Sequence, residues 1–122
     1  MAGLTRARQQ AILNTEFPTT SGTDHIAYST DGLSETTILT RTAIGATGWA
    51  SATSADPSIK TTVNALTSAA ATGSGTITHF AIFSASTAGT QKTDWQALTA
   101  SRAIVAGDTI AWNAGAITIS LD

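Results

Sequence analysis

Hydrophobic and polar positions follow two different periods along the chain. In residues 4–14 good helix formers predominate, and the apolar positions recur on one side of a helix. Phe17 precedes Pro18 and is expected to end this helix, because a residue before proline avoids the α region. Residues 1–18 are therefore predicted to form an N-terminal helix or arm. The apolar stripe of this helix consists of Leu4, Ala7, Ala11 and Ile12.

From residue 25 onward the apolar positions alternate with polar ones, which is typical of strands. Turn signals such as Asp31-Gly32 and Ala106-Gly107-Asp108 recur about every 8–12 residues, which favours a sandwich or barrel over βαβ units. We therefore expect an all-β fold: an antiparallel β-sandwich, jelly-roll or immunoglobulin-like, with a short N-terminal helix and a single sandwich domain over residues 19–122. The segments predicted to be strands contain Ile26 and Tyr28, residues 37–44, Ile59 with Thr61 and Val63, residues 76–83, residues 95–98, Ile104-Val105, Ile110 with Trp112, and Ile117 with Ile119 and Leu121.

Composition points to a surface made for contacts. Charged residues are 11% of the 122 residues and hydrophobic residues 42%, whereas about 25% of residues are charged in a typical soluble domain. Neutral Thr, Ser and Ala lose less free energy than charged groups when a neighbour covers them. The net charge of −2 and the lack of a basic cluster argue against nucleic-acid binding. No apolar run approaches the length of a membrane span, no signal peptide is recognisable, and there is no cysteine.

Catalytic and cofactor chemistry finds little support in the sequence. His25 and His79 are the only histidines, and they are not spaced as a metal pair. The glycines of residues 71–75 (ATGSG) do not match a nucleophile elbow, and Gly73-Ser74-Gly75 precedes a strand where a phosphate loop would open a helix. We expect His79 to be a core or interface residue, and we predict no enzyme activity, no catalytic residue, no cofactor and no metal.

Tryptophans and the N-terminal segment supply the candidate interface residues. Aromatic side chains contribute strongly to binding when they are exposed. Trp95 lies in a polar segment and Trp49 follows Gly48, whereas Trp112 alternates with Ile110 and is expected to be core. The predicted arm could reach a neighbouring subunit, and its removal is expected to leave a folded domain that no longer binds. The interface candidates are Trp95, Trp49, Arg6, Arg8 and Phe17.

The C-terminal half resembles a family of small phage virion structural proteins, often labelled tail-fibre, minor tail or head decoration proteins. Residues 76–85 (TITHFAIFSA), followed by Gly89, are similar to the family run G-x-V-T-H-F-G-I-Y-D-A. Residues 95–99 (WQALT) are similar to W-G-A-L-T, and residues 105–121 (VAGDTIAWNAGAITISL) to V-x-A-G-D-T-x-x-F-x-A-G-A-L-T-I-T-L. The N-terminal half departs from the pattern, since residues 28–32 (YSTDG) stand where members often carry H-T-A-D-P-G.

The resemblance implies a virion structural protein assembled in the host cytoplasm. The leading hypothesis is a capsid decoration, or cement, protein that binds the major capsid protein or other virion proteins and itself, as a homotrimer. The alternative is a tail-tip or tail-fibre component that contacts the host receptor, with Trp49 or Trp95 and small-residue loops meeting surface glycans. A hydrolase using His79 is the third hypothesis and the weakest of the three.

Overall fold

The computed structural model describes residues 4–20, 22–54 and 58–121. These residues form one helix and several strands, as the alternating pattern predicts. The elements in chain order are α1 (Arg6–Glu16), β1 (His25–Ser29), β2 (Thr42–Ala43), β3 (Ser58–Thr61), β4 (Leu66–Thr67), β5 (Gly75–Phe83), β6 (Gln96–Ile104), β7 (Ala111–Trp112) and β8 (Thr118–Leu121).

The strands pair in an antiparallel manner throughout the described chain. One sheet has the order β2-β1-β5-β6, and two ribbons pair β3 with β8 and β4 with β7. The prediction of an all-β fold with a short N-terminal helix is confirmed, whereas the sandwich subtype stays a prediction. The buried hydrophobic core includes Leu13, Phe17, Ile26, Tyr28, Leu39, Ile44, Trp49, Ile77, Ile82, Ile104, Ile110 and Ile117.

Strands β1 and β5 form the centre of the four-stranded sheet. Their register places Tyr28 opposite Phe80 and Ser29 opposite His79. Because successive side chains alternate across a strand, Tyr28 and Phe80 lie on one face of the sheet, and Ser29 and His79 on the other. This division fixes which surface features can share a face.

The outer strand of this sheet, β6, is irregular in its middle. Ile77 pairs with Arg102 and His79 pairs with Ala97, so residues 98–101 lie opposite Thr78 alone. An insertion of this kind in one strand bends it and interrupts the ladder of hydrogen bonds.

The side chains of β3 are buried on the side opposite to the one its hydrophobic pattern predicts. Ser58, Lys60 and Thr62 are buried, while Ile59 is half-buried and Val63 is exposed. The buried side of β3 faces polar groups of the N-terminal helix: the Ser58 amide donates to Gln9 Oε1 at 2.8 Å. The predicted strand at Ile59, Thr61 and Val63 is present in part as β3, and its polar side is the buried one because the helix supplies hydrogen-bond partners to it.

Lys60 is fully buried beneath the helix. Its Nζ donates to Asn14 Oδ1 at 2.7 Å and to Thr19 Oγ1 at 3.2 Å. Burial lowers the pKa of Lys60 below its ordinary value, against an opposing influence of the Asp24 carboxylate.

The helix itself packs with an unexpected face. Its buried residues are Gln9 and Leu13, whereas the predicted apolar stripe faces solvent, with Leu4 and Ile12 exposed. Thr5 caps the helix by accepting a hydrogen bond from the Arg8 amide at 3.3 Å. The helix forms by the predicted propensity, but hydrogen bonds of Gln9 and neighbouring polar residues decide its orientation.

Residues 37–44 are extended over only a short stretch. Only β2 forms within the predicted strand. Leu39 and Ile44 are buried although they lie in irregular backbone. Backbone bonds to other segments replace a long ladder, since the Thr72 amide donates to the Ile38 carbonyl at 2.8 Å and the Ile44 amide to the Asp24 carbonyl at 3.0 Å.

Candidate assembly surface

Two of the predicted interface residues, Trp49 and Phe17, belong to the core. Trp49 is 2% exposed and Phe17 is 3% exposed, and their ring centroids lie 5.3 Å apart. Trp49 Nε1 donates to Asp24 Oδ2 at 3.0 Å, and Lys92 forms an ion pair with Asp24 Oδ1 at 2.8 Å. The expectation that Trp49 and Phe17 meet a partner or a glycan is therefore wrong, because this buried cluster joins the end of α1 to β1 and to residue 92.

Trp95 is partly available at the surface. It is half-buried, and its ring centroid lies 6.0 Å from that of Phe83. The Arg41 guanidinium stacks on Phe83 at 4.0 Å and binds Glu35 through two hydrogen bonds of 2.8 Å each. Trp95 thus lies beside a cluster in which an arginine stacks on an aromatic ring and pairs with a carboxylate.

Arg6 and Arg8 are exposed on the helix. Arg8 lies beside Ala11 and Ile12 on the solvent-facing side of α1. The predicted candidates do not form one site, because two lie in the core, two on the outer side of the helix and one beside Phe83.

A long neutral strand is the most extended exposed element that the structure describes outside the sequence-based candidates. In β6 only Ile104 is buried and Leu98 is half-buried, while the other residues of the strand are exposed. Arg102 is the single charged side chain of the strand, and it has no ion-pair partner among the described residues. Its outer edge carries no described partner strand.

A cleft of about 360 Å³ lies between β6 and the segment around β7. Phe80, Leu98 and Trp112 supply its apolar walls, and Arg102 and Asn113 are among its polar residues. The Phe80 and Trp112 rings meet edge to face at 5.3 Å between centroids. The cleft therefore exposes partly buried side chains that pack against the core.

A hydrogen bond beneath the cleft fixes the Trp112 indole. Trp112 Nε1 donates to the Tyr28 hydroxyl at 3.0 Å, and Tyr28 and Thr42 share a hydrogen bond of 2.6 Å between their hydroxyl oxygens. Burial raises the pKa of the Tyr28 hydroxyl, while its hydrogen bonds to Thr42 and Trp112 act in the opposite direction. The prediction that Trp112 belongs to the core is right in part, because its ring packs on the core and also lines the cleft.

The turn after β1 presents an apolar side chain to solvent. Leu33 is 83% exposed, the largest exposure among the exposed large hydrophobic residues of the described chain. Asp31 Oδ1 accepts hydrogen bonds from the amides of Leu33 at 2.8 Å and Ser34 at 3.1 Å. These bonds, that of the Leu33 amide foremost, hold the pKa of Asp31 below its ordinary value. An ordered turn thus displays Leu33.

The histidines have neighbours other than carboxylates. His79 Nδ1 lies 2.7 Å from Thr78 Oγ1, and His25 Nδ1 lies 2.7 Å from the Thr23 carbonyl oxygen. Within the described residues there is no group of three or more His, Asp and Glu side chains that could hold a metal ion. In the same part of the chain, no helix is both long enough and apolar enough to cross a bilayer.

Comparison with known proteins identifies the family. The family model described as podophage GP4 fiber I protein gp80 matches residues 11–120. The chain belongs to this podophage fiber I family. The match extends from the middle of α1 into β8, and it confirms the resemblance to phage virion structural proteins. No curated protein matches the chain.

Membership in the fiber I family makes this chain a virion structural component. The family description names a fibre, so it fits the tail-fibre alternative better than the capsid decoration hypothesis. The sequence gives little signal for the exposed turn and the cleft, because no local motif marks Leu33 as exposed or brings Leu98 beside Trp112. Of these features, the sequence predicts the turn at Asp31-Gly32.

Proposed function

We propose that this protein is a structural subunit of a phage tail fibre and that it acts by binding neighbouring virion proteins. The observation that carries the proposal is the match to a podophage fiber I family over residues 11–120. A subunit whose role is packing needs a surface that can be covered at low cost in desolvation. The low charge content and the neutral exposed strand β6 fit that need.

The assembly surface in this proposal consists of β6 and the cleft beside it. Strand edges and partly exposed aromatic side chains are common contact features between protein chains. Leu98 and Trp112 offer apolar area at the cleft, and most of the exposed residues of β6, apart from Gln96 and Arg102, carry short side chains that lose little conformational entropy on contact. The partners proposed are other virion proteins and further copies of this chain, without nucleic acid or membrane.

We further propose that the protein has no enzymatic activity. Neither histidine is hydrogen-bonded to a carboxylate in the described chain, so the arrangement that orients a catalytic imidazole is missing there. Purified protein should release no sugar from host glycans, and His79→Asn should not change that result. Release of sugar by the native protein, lost on His79→Asn, would contradict this part of the proposal.

Receptor contact is a second role within the fibre proposal. Of the two tryptophans predicted to meet a glycan, only Trp95 has part of its surface free. Trp95→Ala should therefore reduce adsorption to host cells without reducing the amount of the protein in particles, and unchanged adsorption would contradict this role.

Electron microscopy of intact particles tests the position in the virion. Gold-labelled antibodies raised against the purified protein should bind along or at the tip of tail fibres. Particles treated with pre-immune antibodies serve as the control. Labelling spread evenly over the head would contradict the fibre proposal and restore the decoration hypothesis.

A further inference from the structure

We propose that copies of this protein bind one another by inserting the Leu33 turn of one copy into the Phe80-Leu98-Trp112 cleft of the next. The contact names a partner for the assembly role proposed above and rests on that role. It follows from three features: an ordered apolar protrusion, a cleft with apolar walls and a polar rim, and two charges of opposite sign, Asp31 beside the protrusion and Arg102 beside the cleft.

The protrusion is held in one conformation by its own hydrogen bonds. Asp31 Oδ1 binds the amides of Leu33 and Ser34, and Ser29 Oγ donates to the same oxygen at 3.0 Å. Ser29 Oγ also accepts from the Gly32 amide at 2.9 Å. Gly32 has a φ of +74°, and a Cβ there would lie 2.9 Å from His79 Cε1, so the turn also fits closely against β5. A side chain displayed in this way loses little conformational freedom on binding.

The cleft has the size and lining to receive a leucine side chain. Its volume is about 360 Å³, and its apolar walls are aromatic and aliphatic. Phe80, Leu98 and Trp112 are partly buried already, and the Trp112 ring is held by the Tyr28 hydroxyl. Residues that fill well-packed, desolvated pockets near the centre of an interface contribute most of its binding free energy.

Charge complementarity identifies the occupant as a second copy. Asp31 lies two residues from Leu33, and its Oδ2 has no hydrogen-bond partner among the described residues. Arg102 lines the cleft and has no ion-pair partner in the described chain. When Leu33 enters the cleft, an unpaired carboxylate oxygen and an unpaired guanidinium approach each other, and such pairs strengthen and orient a contact.

The turn and the cleft are different patches of the surface. The turn contacts His79, whereas the cleft is lined by Phe80, and these residues project to opposite faces. A contact between different patches is heterologous, and it yields a closed ring or an open chain of subunits. A two-fold dimer with identical patches is not expected.

Sedimentation velocity of purified full-length variants tests this contact. Leu33→Asp removes the protrusion and keeps the cleft, whereas Ala100→Glu fills the cleft with a negative charge and keeps the protrusion. Both positions are exposed, so each variant should fold, as circular dichroism would verify. Val63→Asp is the matched control, since it adds the same charge at another exposed apolar position.

The wild-type protein and Val63→Asp should associate increasingly with concentration, and each single variant should associate at least about tenfold more weakly. A 1:1 mixture of Leu33→Asp with Ala100→Glu should form a heterodimer and nothing larger, because one intact contact remains. Arg102→Glu should weaken association in the same way. Wild-type protein that stays monomeric, variants that associate like wild type, or a mixture that forms no heterodimer would each overturn the contact.

These outcomes are separable from the proposed function. Protein found in fibres that does not self-associate through Leu33 would overturn the self-contact and leave the fibre role standing. Protein that self-associates through Leu33 but labels only the head would support the contact and overturn the fibre role.

Discussion

Lys60 illustrates how polar interactions set the packing of single residues. A lysine at the centre of an alternating segment would ordinarily face solvent, yet its ammonium group is buried between Asn14 and Thr19. A long aliphatic stem allows lysine to fill apolar space while its end meets polar groups. Two oxygen acceptors make this possible, but burial still disfavours the charged form, which is why the pKa is lowered.

The lowered pKa of Lys60 predicts how stability depends on pH. The folded protein releases this proton at a lower pH than the unfolded chain does, so the unfolded chain binds more protons in the window below 10.5. In that window Lys60 therefore makes the free energy of unfolding increase as the pH rises. Tyr28 acts in the opposite direction above pH 10.0, because there the unfolded chain loses the tyrosine proton before the folded protein does. The free energy of unfolding therefore decreases as the pH rises in that range.

Urea unfolding of the wild-type protein and Lys60→Met between about pH 7 and 10.5 measures this effect. The stability of the wild-type protein should improve relative to the variant as the pH rises. Tyr28→Phe is the control for the tyrosine contribution. Stability curves that run parallel across this range would contradict the lowered pKa.

The two tryptophans Trp49 and Trp95 should respond differently to substitution. Trp49→Phe leaves the buried Asp24 Oδ2 without its donor and should cost about 1–3 kcal/mol of unfolding free energy. Trp95→Phe keeps the contact with Phe83 and should change stability by less than about 0.5 kcal/mol. Thermal denaturation of both variants compares them, and equal losses would contradict the placement of Trp49 in the core.

At the scale of elements, α1 is part of the domain and does not form a separate arm. Leu13 and Phe17 lie in the core, and polar side chains of the helix bind backbone elsewhere. Gln10 Nε2 donates to the Ala52 carbonyl oxygen at 2.9 Å, and the Ala52 amide donates to Asn14 Oδ1 at 3.0 Å. The expectation that residues 1–17 can be removed from a folded domain does not fit these contacts.

Deletion of residues 1–17 should therefore abolish cooperative unfolding, because it exposes Lys60 and removes two buried hydrophobic side chains. Each of those side chains contributes about 2–5 kcal/mol when truncated in other cores. The control is the double variant Leu4→Gln and Ile12→Gln, which changes only exposed positions and should unfold like wild type. A truncated protein with a sharp thermal transition would refute the structural role of the helix.

Sequence patterns predict some elements well and others poorly, for identifiable reasons. Strand β5 is confirmed at nearly its predicted bounds, because a continuous apolar run at the centre of a sheet leaves few alternatives. The turn at Gly107 is confirmed too, with a φ of +95°. Strand β3 and the helix are placed correctly, but their buried sides are not their most apolar ones, since the hydrogen bond between Gln9 and Ser58 joins polar positions of the two elements.

The functional surface is harder to predict than the fold. The sequence predicts exposed aromatic side chains at Trp49 and Trp95. Their exposure depends on contacts with Asp24 and Phe83, which are distant in sequence. The cleft joins Leu98 to Trp112 across two strands, and no local motif marks such a pairing. The family resemblance, carried by residues 76–121, provided the functional class that single residues did not.

At the scale of the whole molecule, a small chain with few charged residues suits the proposed fibre role, in which the protein acts through contacts between copies. The proposed contact between a protrusion on one patch and a cleft on another would let subunits repeat in one direction. Membership in the fiber I family places this arrangement in a virion component.

The number of copies per particle tests the fibre role most directly. Quantitative mass spectrometry of purified virions, with the major capsid protein as internal reference, gives this number. We expect a small number of copies of this protein per virion, on the order of tens or fewer, in keeping with closed symmetric tail assemblies. Hundreds of copies, in a fixed ratio to the capsid protein, would contradict it.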